Sequence, residues 1–162
     1  MAEYLFFFGE KSLNGYLSNW YPSPFNDGFI TYQNMEQYMM HQKALTFGDM
    51  DMATKILKNP SPAVCKKLGR QVRNFDPMIW SNKCMYIVTK GCVLKFSQNP
   101  NIKQFLLSTG DRILVEASPF DRIWGIGYIA SNAVKVEKSK WGQNLLGKCL
   151  MKVREILKSK SL

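Results

Sequence analysis

At 162 residues, with 46% hydrophobic and 13% aromatic side chains, the chain can bury a core without staples and is not composed like a disordered segment. Its formal net charge of +10 points to anionic partners, either nucleotide phosphates or a nucleic-acid backbone; eight Lys or Arg against two acids fall from Lys135 onward, where a solvated helix face is the plainer explanation. Four cysteines (Cys65, Cys84, Cys92 and Cys149) form no CxxC pair and have only His41 for company, which excludes a Cys/His zinc site and fits reduced thiols in a reducing compartment.

In chain order, the acidic, short apolar start to Glu10 lacks a signal peptide's basic opening, and no apolar run approaches the ~20 residues of a membrane span. The expectation is a soluble, cytoplasmic protein. Tyr4–Phe8 reads as a buried strand ending at Gly9, and the two prolines of Leu17–Phe25 make that stretch a loop. Asn26-Asp27-Gly28 signals a turn into a short strand from Phe29 to Tyr32. Asn34 then caps a helix reaching about Phe47, with Gln37 closing a capping box. A second helix follows Asp49 to Leu57. A third starts at Ser61-Pro62 and stops at Gly69. Asp76-Pro77 opens a helical stretch to Phe96, with a break expected near Asn82, and Asn99-Pro100 opens another to Gly110. Arg112–Ala117 has strand character, residues 118–133 read as loop with room for one more short strand, and Gly142–Lys158 is a terminal amphipathic helix. With no repeat or linker, the expectation is one α+β domain over residues 1–162, mainly helical with a small sheet.

Two places combine residue types suited to chemistry. Glu36 and Lys43 stand seven residues apart on the first predicted helix and so share a face, with Met39 and Met40 between them. They could form the polar floor of a pocket, or Glu36 could serve the helix dipole while Lys43 is solvated. Glu116 interrupts an apolar strand, where an unpaired carboxylate is costly, and Asp121 and Trp124 follow in a loop whose Gly125 and Gly127 would let a ligand approach. Carboxylates in unlike surroundings can divide acid and base roles. The alternative is that Glu116 pairs with a base such as Lys43. Trp20, Tyr21, Trp80 and Trp124 could stack a planar base or simply fill the core, and Asn19 offers an amide to a hydroxyl or a base edge. His41 reads as a satisfied helix residue. No phosphate-binding P-loop, dinucleotide fingerprint or nucleophile elbow occurs.

Six blocks in register resemble the NADAR (YbiA-like) superfamily: Ser18-Asn-Trp-Tyr-Pro-Ser-Pro-Phe25; Glu36-Gln-Tyr-Met-Met40 with Lys43-Ala44; Leu68-Gly-Arg70; Lys95-Phe-Ser-Gln-Asn99; Leu107-Ser-Thr-Gly110; and Leu114-Val-Glu-Ala-Ser-Pro-x-Asp-x-Ile-Trp-Gly-Ile-Gly127. The resemblance covers about residues 6 to 157. It implies a compact α+β fold and an N-glycosidase that needs no cofactor and no metal. Two substrate classes come with it: the ribosylamino-pyrimidine phosphates of riboflavin biosynthesis and, as the alternative, ADP-ribose carried on guanine bases of nucleic acid. A non-enzymatic module binding ADP-ribose or a nucleotide is a further alternative. Carried over by position, the resemblance implies catalytic roles for Glu36, Lys43, Glu116 and Asp121, and substrate contacts from Asn19 and Trp124, with Trp20, Tyr21 and Trp80 as further stacking candidates. Trp20 departs from the phenylalanine of many relatives.

Overall fold

The computed structural model describes residues 3–160. The chain is α+β and mainly helical, with β1 (Tyr4–Phe7), β2 (Phe25–Asn26), β3 (Thr31–Tyr32), α1 (Met35–Thr46), α2 (Met50–Leu57), α3 (Pro62–Gly69), α4 (Pro77–Gln98), α5 (Pro100–Ser108), β4 (Ile113–Glu116), α6 (Ala130–Ala133) and α7 (Leu145–Lys160). Contacts sort the described residues into two units. One is continuous, Pro22–Asn99; the other joins the chain up to Tyr21 to the chain from Pro100 onward.

In the discontinuous unit, β1 and β4 pair in parallel, Tyr4 opposite Ile113 and Phe7 opposite Glu116. Strand alternation puts Tyr4, Phe6, Ile113 and Val115 on one face, where they gather with Ile126, Ala133 and Trp141. Leu5, Phe7 and Leu114 are buried on the other face, and Glu116 emerges on that same face at the carboxyl end of the pair. An asparagine ties each outer edge of this two-stranded ribbon. Asn14 donates through Nδ2 to the Phe6 carbonyl (3.2 Å), while Asn144 accepts from the Glu116 N–H and donates to the Leu114 carbonyl, both at 2.9 Å. Asn144 takes the left-handed conformation (φ 53°), so α7 begins at Leu145 rather than at the expected Gly142. The helix buries Leu146, Leu150, Val153 and Leu157, and Gly147 lets it approach the Leu114 carbonyl directly. The short strand expected within 118–133 does not form; that stretch is loop and the single turn α6.

The continuous unit is built around α1. Every residue from Met35 to His41 is buried, so the first two turns of the helix are enclosed on all sides rather than amphipathic. Asn34 caps it as expected, accepting from the Gln37 N–H (2.9 Å), but Gln37 reaches one residue past the cap, accepting from the Gln33 N–H (2.8 Å) and not from that of Asn34 as a capping box would. Two glycines permit the close packing. A side chain at Gly91 of α4 would strike the Tyr38 ring and Met35, and one at Gly69 would strike the Met40 sulfur. Gly69 is therefore the last helical residue of α3, with Arg70 as its right-handed cap, not the stop signal expected of it. The β2–β3 hairpin turns through Asp27, whose Oδ1 accepts from the N–H groups of Phe29 and Ile30. The expected break near Asn82 is absent. α4 runs unbroken because Ser81, Asn82 and Lys83 simply form its exposed side. No helix among the described residues is long and apolar enough to cross a membrane.

Candidate active site

In the discontinuous unit the chemistry-bearing residues collect where β1 and β4 end. Carboxyl ends of parallel strands are where open sheets present their loops to ligands. Glu116 is half-buried, and its backbone is held on both sides: its N–H donates to Asn144 Oδ1, and its carbonyl accepts from Ile126 N–H at 3.0 Å. The carboxylate therefore leaves a rigid stem. Asp121 serves the loop itself. Its Oδ1 accepts from the N–H groups of Ile123 (2.8 Å) and Trp124 (2.9 Å), closing the turn that presents the half-buried Trp124.

The glycines of that loop do not wait for a ligand, contrary to the sequence reading. A side chain at Gly125 would fall 2.9 Å from the Glu116 carbonyl oxygen and 3.0 Å from that of Asp121. One at Gly127 (φ +80°) would meet the Arg122 side chain at 2.7 Å. Both positions admit the chain's own atoms, which is how the loop folds back onto β4.

Asn19 is 7% exposed, yet its Oδ1 has no hydrogen-bond partner among the described residues. A buried acceptor left so costs roughly 1–3 kcal/mol, which a ligand hydroxyl or amine could recover. Trp20 and Tyr21 beside it are half-buried. Tyr21 lines a cavity along β1 together with Arg112; Glu116 is not among its lining residues. Sequence reasoning missed Phe8 and Phe120. They are 43% and 86% exposed, with ring centroids 6.2 Å apart; Phe8 directly follows Phe7, the strand partner of Glu116, and Phe120 lies four residues beyond Glu116 in the chain. Two large rings left in solvent beside a carboxylate gain little for the fold and suit contact with a planar ligand.

In the continuous unit, Glu36 (5% exposed) and Lys43 (half-buried) both stand on α1. Burial holds the Lys43 ammonium below the usual lysine range; the Glu36 charge opposes this and the Arg70 charge adds to it. Lys43 Nζ lies 4.4 Å from the centre of the Phe75 ring, and that ring packs edge-on against Phe47 at 5.3 Å. Arg70, which sequence reasoning left out of the site, thus places a second cation within electrostatic reach of Lys43. Its signal was the Leu68-Gly-Arg70 block, where Gly69 seats Met40 of α1 and so brings α3 close. Trp80 is half-buried in the first turn of α4, soon after Phe75 in the chain.

His41 fulfils the quieter expectation. It is buried, shares a 2.8 Å hydrogen bond through Nδ1 with the Tyr32 hydroxyl, and burial lowers its pKa. No group of three His, Cys, Asp or Glu side chains stands close enough to hold a metal ion among the described residues.

Comparison with known proteins extends these findings. The family model described as NADAR domain matches residues 6–158 and so spans both units. An N-glycosidase of Acanthamoeba polyphaga mimivirus is 49% identical, over 94% of this chain and 95% of its own length. A riboflavin biosynthesis protein of Vibrio vulnificus is 29% identical, over 97% of this chain but 39% of its own. The solution structure of the Escherichia coli protein YbiA superposes with a TM-score of 0.80 at 26% identity, covering 99% of this chain and 89% of that one.

Proposed function

The chain belongs to the NADAR domain family and is an N-glycosyl hydrolase, and from that premise we propose that it hydrolyses the ribose–base bond of ribosylamino-pyrimidine phosphates, reactive intermediates of riboflavin biosynthesis. The observation that carries the reading is the setting of Glu116, a half-buried carboxylate on a stem fixed from both sides at the carboxyl end of β4. Such a group can hold a water molecule and take its proton as the sugar centre becomes cationic. In the reaction the C1′–N bond breaks and its electron pair leaves with the base nitrogen, which gains a proton from solvent, matched by the one Glu116 afterwards returns to solvent. Water oxygen bonds to C1′ and gives up a proton to Glu116.

Asp121 is assigned to building the loop rather than to the proton transfer, since one of its oxygens is already committed to two backbone N–H groups. Within the continuous unit, Lys43 with Arg70 near it forms a cationic place suited to a phosphate, and the buried Glu36 favours the charged form of Lys43. The open acceptor of Asn19 suits a ribose hydroxyl, and Trp124 with Phe8 and Phe120 suits the base. The name of the Vibrio relative supports the substrate class. Four buried cysteines suit a reducing, cytoplasmic setting.

A second reading, removal of ADP-ribose from guanine in nucleic acid, is favoured by one observation. Lys135, Lys138 and Lys140, and Lys148, Lys152, Lys158 and Lys160 of α7, are all exposed and would meet a phosphate backbone. Base release followed by chromatography, run in parallel on the ribosylamino-pyrimidine phosphate and on ADP-ribosylated guanosine in DNA, separates the two. Release from the first alone is expected. Release from the second alone transfers the assignment, and release from neither removes both substrates.

A further inference from the structure

An open cavity of about 760 Å³ runs along β1 from Tyr4 to Phe6, with Tyr16, Tyr21, Phe105, Ser108, Thr109 and Arg112 also in its walls. That volume lies within the range of small-molecule sites, roughly 300–1,000 Å³. Arg112 directly precedes β4 and Glu116 ends it. At about 3.3 Å per residue, roughly 13 Å of extended chain separates Arg112 from the candidate catalytic carboxylate, while the cavity's wall also runs along β1 from Tyr4 to Phe6.

Three features of the wall point to one kind of ligand. The first is uncompensated positive charge. Arg112 commits only Nε, which donates to the Thr109 carbonyl at 3.1 Å; its two Nη groups have no partner and no acid lies within ion-pair distance among the described residues. Behind the wall is a second guanidinium. Arg154 is 6% exposed and donates through Nη1 to Thr109 Oγ1 and to the Arg112 carbonyl, both at 2.9 Å, while its Nε has no partner. The acids whose charge reaches Arg154 are Glu155 and Asp111, both exposed.

The second feature is aromatic surface. Tyr16 and Phe105 lie 5.5 Å apart, and the Tyr16 hydroxyl donates to the Phe105 carbonyl, which leaves Phe105 54% exposed at the rim. The third is an open strand edge. Glu3 and Phe7 turn their carbonyls toward β4, so Tyr4 and Phe6 turn their backbone the other way, where Asn14 on the Phe6 carbonyl is the tie already described. The cavity thus offers paired cations, hydroxyls, backbone N–H groups and flat apolar walls.

We propose that this cavity is a second binding site, separate from the Glu116 end, for a phosphorylated aromatic small molecule of the nucleoside monophosphate class. Phosphate sits at Arg112, backed by the charge of Arg154, and the ring system lies against Phe105 and Tyr21. Neither acid near Arg154 makes an ion pair with Arg112, and no acid lies in the cavity's lining.

Calorimetric titration with adenosine 5′-monophosphate tests this in the full chain. Wild type and Glu116→Gln are expected to bind it equally. Arg112→Gln should weaken binding by at least about tenfold, the loss expected for a charge-assisted contact, and adenosine without phosphate should bind correspondingly worse. Ser108→Glu, an exposed change that sets a negative charge at the rim, should also weaken it and covers the case in which Arg112→Gln fails to fold. No binding by wild type would overturn the proposal. So would affinity indifferent to both wall variants, or lost in Glu116→Gln, which would place the nucleotide at the catalytic end.

Discussion

The carboxyl end of the β1–β4 ribbon and the enclosed helix α1 both carry acidic residues, but they hold them in opposite ways. At the ribbon end the backbone does the holding: Glu116 is fixed through its own N–H and carbonyl, and the loop after it closes on Asp121 and on glycines that admit main-chain atoms. Side chains there are left half-buried or exposed. On α1 the side chains themselves are packed into the interior, and the helix is shaped by what surrounds it. A polar side chain whose stem is held by its backbone can be changed at the cost of chemistry alone. One buried in a helix core serves fold and chemistry together.

The sharpest way to break this contrast is Glu116→Gln. Turnover should fall by about 10²–10⁴-fold, the usual contribution of a general base, with the melting temperature essentially unchanged. A parallel drop in melting temperature would show that the carboxylate is structural. Next in size is Lys43→Met, which keeps the apolar stem. KM for the phosphorylated substrate should rise about 10- to 100-fold with kcat little altered, because one charge-assisted contact is lost. Its pH profile sharpens the point: burial holds the Lys43 pKa below the ordinary lysine range, so the charge and the low KM are lost earlier as pH rises than for an exposed lysine. A KM flat through the alkaline range would detach Lys43 from the phosphate. Phe120→Ala is smaller, with KM expected to rise about fivefold and stability unaffected, as for one stacking contact of ~1 kcal/mol.

The least of these effects is a stability one in the continuous unit. Asp49 caps α2 and accepts from the backbone N–H and Nη2 of Arg73, bonds that hold its carboxyl down at about 2. A depressed carboxyl contributes stability that is present above its unfolded pKa and is lost as pH falls toward the folded value. Thermal melts of wild type should therefore decline between pH 4 and about 2 more steeply than those of Asp49→Asn. Equal slopes would mean that the cap contributes nothing through its charge.

Local signals made the helix starts legible. Asn34 with Gln37, Ser61-Pro62 and Asp76-Pro77 each satisfy backbone N–H groups within three residues, so the chain alone specifies them. What sequence could not show depends on partners distant in the chain. Gly69 looks like a helix stop until Met40 is found packed on it, and Gly125 looks like a ligand contact until the Glu116 and Asp121 carbonyls are found beside it. Likewise Phe8 and Phe120 become a pair only when β1 lies alongside β4, and Arg70 becomes electrostatically relevant only when α3 packs on α1. Glu116 stood out in the sequence as a carboxylate in an apolar strand, with Asp121 in the loop after it. Their division of labour was not legible, because it rests on which oxygen of Asp121 the loop already uses.

The account's central claim is hydrolysis at the sugar carbon, and the most direct test is turnover of the ribosylamino-pyrimidine phosphate in ¹⁸O-labelled water, quenched at once and read by mass spectrometry. One ¹⁸O atom in the released ribose phosphate and none in the freed base is the expected result. Label in the base, or no base released by a folded protein, would contradict it.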